Sequence, residues 1–305
     1  MAIQFTTHDY SAGKVTFATR PEMVDLYSGQ IRGAWKPDAH TLVAHQLLKS
    51  GDFFLDLGAN IGAFCLPLAK ATGARALAVE ALQSNIALLQ SAIEANDLSS
   101  KVEWFFAAIV EKNGEVTIAG EGAYGTVGST GRRVLAYSVD GLMDEIGWPS
   151  VRLVKMDIEG CEKRALEGAT RFFEKAPEVM FIFEANGAHC HINGYAPQDL
   201  IRFFEDRGHH VYLVRGDRVI RRRASDFQES GLSDYVTAPF PLEQKLTGVR
   251  FTDFDEATKV REAMRTLSVM KPGYGRFMVS EMHLAPDFIR NNKSIQELAA
   301  AVPPA

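Results

Sequence analysis

The sequence has no apolar run approaching the roughly 18 residues that would suggest a helix crossing a bilayer. Its three cysteines, Cys65, Cys161 and Cys190, are an odd number without the spacing of a metal site or a disulfide framework. That pattern points to free thiols in a reducing compartment. The first residues, MAIQFTTHDYSAGK, lack the apolar core of a secretory leader, so the expectation is a soluble, cytoplasmic protein without a membrane partner. Positive charge is also in short supply. Lys and Arg number 33 against 38 Asp and Glu, a formal charge of -5, which gives no electrostatic reason to expect nucleic acid as a partner. The one basic run, Arg221-Arg222-Arg223, reads as a solvated strand end or turn. Internal repeats, low-complexity tracts and long linkers are absent.

What is present is a globular composition, 46% hydrophobic and 23% charged over 305 residues. From Phe53 onward, short apolar runs alternate with longer segments of helical period, the signature of repeated βαβ units and a mostly parallel sheet. Core strands are expected at Phe53 to Leu55, Ala76 to Val79, Val102 to Phe106, Val151 to Met156, Val179 to Phe183 and His210 to Val214. Tyr235 to Thr237 is expected as a late antiparallel edge strand. Helices are expected at about 61–71, 82–96, 139–146, 161–173 and 197–207, with a hairpin excursion formed by Glu115 to Ile118 and Arg133 to Tyr137. The fold class is therefore α/β, a doubly wound seven-stranded Rossmann-like sheet. Residues 1–50 form a lead-in with a possible strand at Lys14 to Ala18 and a helix at Ala39 to Leu48. Residues 51–239 form the core, and 240–305 a C-terminal appendage with a helix at Asp255 to Leu267, a turn at Lys271 to Gly275 and a frayed end at Val302 to Ala305.

Ligands of open α/β sheets bind beyond the carboxyl ends of the strands, so the residues just after each strand carry the functional reading. After the first strand the chain reads Asp56-Leu57-Gly58-Ala59-Asn60-Ile61-Gly62. Gly58 allows a sharp turn and close ligand approach, and Gly62 allows close packing where a helix begins. Glu80, 24 residues past Asp56, ends the second strand, where a carboxylate can accept hydrogen bonds from both hydroxyls of an adenosine ribose. The turn reads GANIG rather than GxGxxG and begins with an acid. A pyrophosphate would be repelled by Asp56, whereas the ammonium and sulfonium groups of S-adenosylmethionine would be attracted.

DLGANIGAF, AVEAL and LVKMDIEGCEKRALEGA together resemble the FkbM family of methyltransferases, over about Trp35 to Pro239, with KMDIEG at Lys155 to Gly160 the most specific block. Cys161 stands where the family tends to carry a small residue. The resemblance implies a Rossmann-like methyltransferase fold, S-adenosylmethionine as donor and, most often, a small-molecule or carbohydrate hydroxyl as acceptor. By position it implies that Asp56, Gly58, Ala59 and Asn60 line the methionine end and that Glu80 holds the ribose. It places Ala81 and Ser84 near the adenine edge, with Ala107 and Ala108 flanking the ring.

Methyl transfer to an alcohol needs an oriented acceptor and help in removing its proton. Asp157 follows the fourth strand with Glu159 two residues on, and Glu184 and Asn186 follow the fifth. Three readings of these residues stay open. Asp157, Glu184 and Asn186 resemble the Mg2+ site of metal-dependent O-methyltransferases; Asp157 contacts cofactor or acceptor directly; or Glu159 and Glu184 are structural partners of Lys155 and nearby amides. His189-Cys190-His191 in an extended segment could not share one ion, so His189 is read as a single proton acceptor. Trp35 and His40 are expected over the cofactor cleft and Tyr124 near the acceptor. The rival functions are an NAD(P)-dependent oxidoreductase and a non-catalytic nucleoside-binding protein on the same fold.

Overall fold

The computed structural model describes residues 2–11, 13–226 and 232–254. They fall into two compact units, one within residues 1–183 and 241–247, the other within 184–240 and 248–305. The helix expected at Asp255 to Leu267, the turn at Lys271 to Gly275 and the end at Val302 to Ala305 lie outside the described residues, as does most of the 240–305 appendage.

The first unit opens with an antiparallel hairpin of β1 (Gln4–Tyr10) and β2 (Gly13–Thr19), followed by helices α1 (Leu26–Arg32) and α2 (Ala39–Leu47). Then come β3 (Phe53–Leu57), α3 (Cys65–Thr72), β4 (Arg75–Glu80), α4 (Gln83–Ala95) and β5 (Val102–Phe106). The excursion holds β6 (Ala108–Ile109), β7 (Gly114–Ala119), β8 (Thr126–Gly128) and β9 (Arg132–Tyr137), a separate small sheet ordered β6-β9-β7-β8. The chain returns through α5 (Val139–Ile146) to β10 (Val151–Met156), α6 (Glu162–Glu167), α7 (Thr170–Lys175) and β11 (Met180–Asn186), whose last three residues count with the second unit.

The parallel strands of the first unit run in the order β11-β10-β3-β4-β5. All of Phe53 to Leu57 is buried, as expected of a central strand covered on both faces, which shows no apolar-polar alternation. Phe54 and Leu55, fully buried, each contribute about 1.5–3 kcal/mol of apolar burial. From β3 the chain winds outward through β4 and β5, then returns to the other side of β3 for β10 and β11. Right-handed crossovers taken in opposite directions place their helices on opposite faces, so the sheet is doubly wound and its switch point lies between β3 and β10.

Two local expectations are corrected. The helix expected over 161–173 is two helices, interrupted at Gly168 and Ala169, and a Cβ at Gly168 would stand 2.8 Å from the Glu111 carbonyl oxygen and the Ser138 Cβ, so glycine fits the break. Asp140 of α5 then caps α7, accepting from Arg171 N at 2.9 Å and Phe172 N at 2.8 Å. The helix expected from Ile61 begins only at Cys65, since residues 58–62 are held in a turn.

The second unit contains α8 (Gly187–Ile192), α9 (Pro197–Glu205), β12 (His210–Arg215), β13 (Arg218–Arg222), β14 (Leu232–Ala238) and β15 (Arg250–Thr252). Its strands run β15-β13-β12-β14, with β12 antiparallel to both neighbours. The sequence reading passed over β13 and β15. Arg222 is not solvated. It lies buried at the end of β13 with its guanidinium 3.7 Å from the centre of the Phe254 ring. No helix among the described residues is long and apolar enough to cross a membrane.

Candidate functional site

Asp56 and Lys155 occupy paired positions on β3 and β10, so the switch point begins with an opposite-charge pair across adjacent strands. Beyond it the two turns touch. Asp157 N donates to Leu57 O at 3.0 Å, and a Cβ on Gly58 would stand 1.8 Å from the Asp157 carbonyl oxygen. Gly58 has φ +83°. Any other residue here meets both a strained backbone and an overlap with the neighbouring chain. Gly58 N and Ala59 N both donate to Val79 O at 2.9 Å, and Gly62, at φ +89°, leaves no room for a Cβ beside Leu66 and Leu89.

Glu80 organises this turn. Its Oε2 accepts from Asn60 N at 2.9 Å, and its Oε1 accepts from Leu82 N at 2.9 Å and Asn85 Nδ2 at 3.2 Å. Asn60 is left at φ +51°. Burial pushes the Glu80 carboxyl above the usual range, opposed by these N–H donors. Ala81 and Ser84 are half-buried just beyond it. Ala107 N donates to Glu80 O at 3.1 Å, which places Ala107 against the end of β4. Ala108 is packed in a cluster with Leu82, Val110, Ile118 and Val134.

Asp56 is held differently. It is fully buried, and neither carboxylate oxygen has a hydrogen-bond partner among the described residues. Lys155 Nζ is 4.0 Å from Oδ1. Burial raises the Asp56 carboxyl above its ordinary range, with Lys155 and the Cys65 thiol acting the other way. Lys155 also sits 3.0 Å from Asp157 Oδ2 and 5.7 Å from the centre of the Phe64 ring. Burial works against its charge, yet Asp157 and Asp56 outweigh it and hold the ammonium above the ordinary lysine range. The DIEG turn is braced from behind by buried Glu162, which accepts from Ile158 N at 2.9 Å and Gly160 N at 3.4 Å, with Glu159 at φ +54°.

The first unit thus gathers Asp56, Gly58, Ala59, Asn60, Glu80 and Asp157 at neighbouring strand ends. Glu184, Asn186 and His189 belong to the second unit. The segment around His189 is helical rather than extended: it forms α8, capped by Asn186, whose side-chain oxygen accepts from Ala188 N at 3.1 Å and His189 N at 3.4 Å. The proposed Mg2+ ligands fit poorly. A lysine ammonium occupies the near side of Asp157, and the Asn186 oxygen is committed to its helix. Among the described residues no group of three or more His, Cys, Asp or Glu side chains could hold a metal ion.

Trp35 is a packing residue, edge-on to Phe17 with ring centres 4.9 Å apart and also against His8 and Tyr10. His40 stacks on Phe64, ring centres 5.7 Å apart, and Phe64 is the ring beneath Lys155. Tyr124 is exposed. Tyr27 of α1 escaped the sequence reading, since it lies in a short helix with no motif. Its phenol interacts electrostatically with Lys155, Asp38, Asp157 and Asp56.

No curated protein matches this chain by sequence. Several solved structures superpose in part. A precorrin-6y C5,15-methyltransferase from Geobacter metallireducens is 11% identical, covering 73% of this chain and 93% of its own, with TM-score 0.43. A 16S rRNA N2 G1207 methyltransferase from T. thermophilus, bound to AdoMet and guanosine, is 15% identical, covering 78% and 51%, with TM-score 0.43. P. horikoshii TYW2 with MeSAdo is 11% identical, covering 77% and 72%, with TM-score 0.39. Nothing about this chain's substrate follows from likenesses at this level. The methyltransferase FkbM domain model matches residues 56–211, just over half the chain and the stretch that carries both Asp56 and Asp157, and this protein belongs to the FkbM family of methyltransferases.

Proposed function

We propose that this chain transfers the methyl group of S-adenosylmethionine to a hydroxyl oxygen of a small-molecule or carbohydrate acceptor. The observation that carries the donor side is Asp56, a fully buried carboxylate at the switch point whose two oxygens have no hydrogen-bond donor among the described residues. Lys155, 4.0 Å away and shared with Asp157, offsets the burial of this carboxylate only in part, and an ammonium ligand would add to that relief where a pyrophosphate would oppose it. S-adenosylmethionine, when bound, supplies a methyl carbon activated by its sulfonium. In this reading Asp56 receives the amino group and Glu80 accepts from the ribose hydroxyls.

In the same reading Asp157 receives the acceptor's proton, and the ion pair with Lys155 at 3.0 Å supports a fixed orientation of its carboxylate. The hydroxyl proton passes to Asp157 and then to water. Glu184→Gln and His189→Ala test whether the second unit adds a further proton acceptor.

The deciding experiment is thermal melting with S-adenosylhomocysteine, with NADH and without ligand. A ligand that prefers the native state raises the midpoint, and S-adenosylhomocysteine is expected to do so. A rise with NADH alone would overturn the proposal.

A further inference from the structure

Lys155 meets two acids with one charge. It stands opposite Asp56 in the register of β10 and β3, and its ammonium lies 4.0 Å from Asp56 Oδ1 and 3.0 Å from Asp157 Oδ2. The three side chains form a series from the interior outward: Asp56 is fully buried, Lys155 is 10% exposed and Asp157 33% exposed. The contact with Asp157 is a hydrogen bond, whereas the one with Asp56 is a charge contact only. Lys155 is therefore committed to the outer carboxylate and shared with the inner one. On another side the ammonium faces the buried Phe64 ring at 5.7 Å, backed by His40, so it meets an aromatic face there rather than a third carboxylate.

Two carboxylates and one ammonium leave the cluster one negative charge in excess. Away from bulk water such an excess attracts one more cation, and Asp56, which has no hydrogen bond among the described residues, is the carboxylate with both oxygens left to receive it. A second ammonium on Asp56 repels the first. Lys155 already has its better partner in Asp157, so it can yield Asp56 without being stranded as a buried charge.

Resting on the donor reading above, we infer that Lys155 is a counter-ion shared between the two halves of the site, which Asp56 gives up to Asp157 on taking the donor's ammonium. Lys155 is thereby a positioning residue that acts through Asp157. The outer carboxylate holds the lysine alone once the inner one is filled, and the acceptor side is completed by occupancy of the donor side. Donor before acceptor is the order of binding that follows.

The test is calorimetry on the full chain with two ligands: S-adenosylhomocysteine, which carries the amino-acid end, and methylthioadenosine, which has the same nucleoside and thioether without it. Mildly alkaline pH, above the carboxyl range, keeps both acids ionised. Lys155→Gln removes the rival cation and is expected to raise the preference for S-adenosylhomocysteine over methylthioadenosine by about 3- to 30-fold. Asp157→Asn releases Lys155 to Asp56 and is expected to lower the same preference by a similar factor. Lys155→Arg, which keeps the charge, should restore the parent's preference. A lysine that merely supports the fold would weaken both ligands alike, and an unmoved preference in either variant overturns the inference. So does a fall in preference with Lys155→Gln, which would assign Lys155 to the ligand's carboxylate. Should Lys155→Gln fail to fold, Asp157→Asn carries the comparison with the opposite sign. A parent protein that binds neither ligand overturns the donor reading and this inference together, whereas an unmoved preference overturns the inference alone.

Discussion

Glu80 and Asp56 end neighbouring parallel strands, and both carboxylates are buried and pushed above their usual range by that burial. Yet Glu80 takes three hydrogen bonds, two from the residues that follow it and one from Asn60 in the turn after β3, whereas Asp56 takes none from the described residues. The first is a structural clamp between two turns. The second has the Lys155 ammonium 4.0 Å away as its counter-charge but no hydrogen bond to either oxygen among the described residues, so its burial is only partly offset. One site therefore combines a residue that stabilises the unliganded protein with one that burdens it, the pattern expected where binding is built at the expense of stability.

The severest way to break this arrangement is Gly58→Ala, which drives a methyl group into the Asp157 backbone carbonyl. The expected loss is about 3 kcal/mol or more, read as a large fall in the urea midpoint. Next comes Glu80→Ala, which strands Asn60 N and Leu82 N. It should cost about 2–4 kcal/mol of folding stability and remove most S-adenosylhomocysteine affinity by calorimetry. A stable variant that binds normally would mean the clamp is not where the ribose sits.

Asp56→Asn sharpens the contrast, since it should lose about 10- to 100-fold in ligand affinity without destabilising the unliganded protein. Its pH dependence has a fixed sign. A carboxyl whose folded-state pKa is raised contributes stability below its unfolded value, and that contribution is lost as pH rises through the folded value. The melting temperature of Asp56→Asn relative to the parent should therefore climb from acid toward neutral pH, by about 2–4 °C for each kcal/mol involved. A difference that shrinks over that range would refute the open-acceptor description. The smallest effect is expected from Asn85→Ala, which removes one of three donors to Glu80 and the link to Gly122. About 1 kcal/mol of stability and a severalfold weakening of S-adenosylhomocysteine binding should follow.

Much of this site was legible in the sequence because its logic is local. A buried apolar run, an acid, a glycine that must turn, and a second acid one βαβ step later are fixed by spacing along the chain. The positions of Asp56, Gly58 and Glu80 at strand ends needed no knowledge of the rest. The divided helix after Cys161 was not legible, because its break is set against Glu111, Ser138 and Asp140 from distant parts of the chain. The helical α8 was hidden for a related reason: Asn186, read as a ligand, spends its side chain on capping.

Sequence alone determined the class of fold, the family and the donor-side turn, since periodicity and glycine geometry act over a few residues at a time. Only the tertiary structure decided which of two similar carboxylates is satisfied and which is left open. It also revealed that Lys155 balances Asp56 and Asp157 together. Those are questions of burial and of through-space charge. Burial and charge depend on what the fold brings close, not on what lies nearby in the chain.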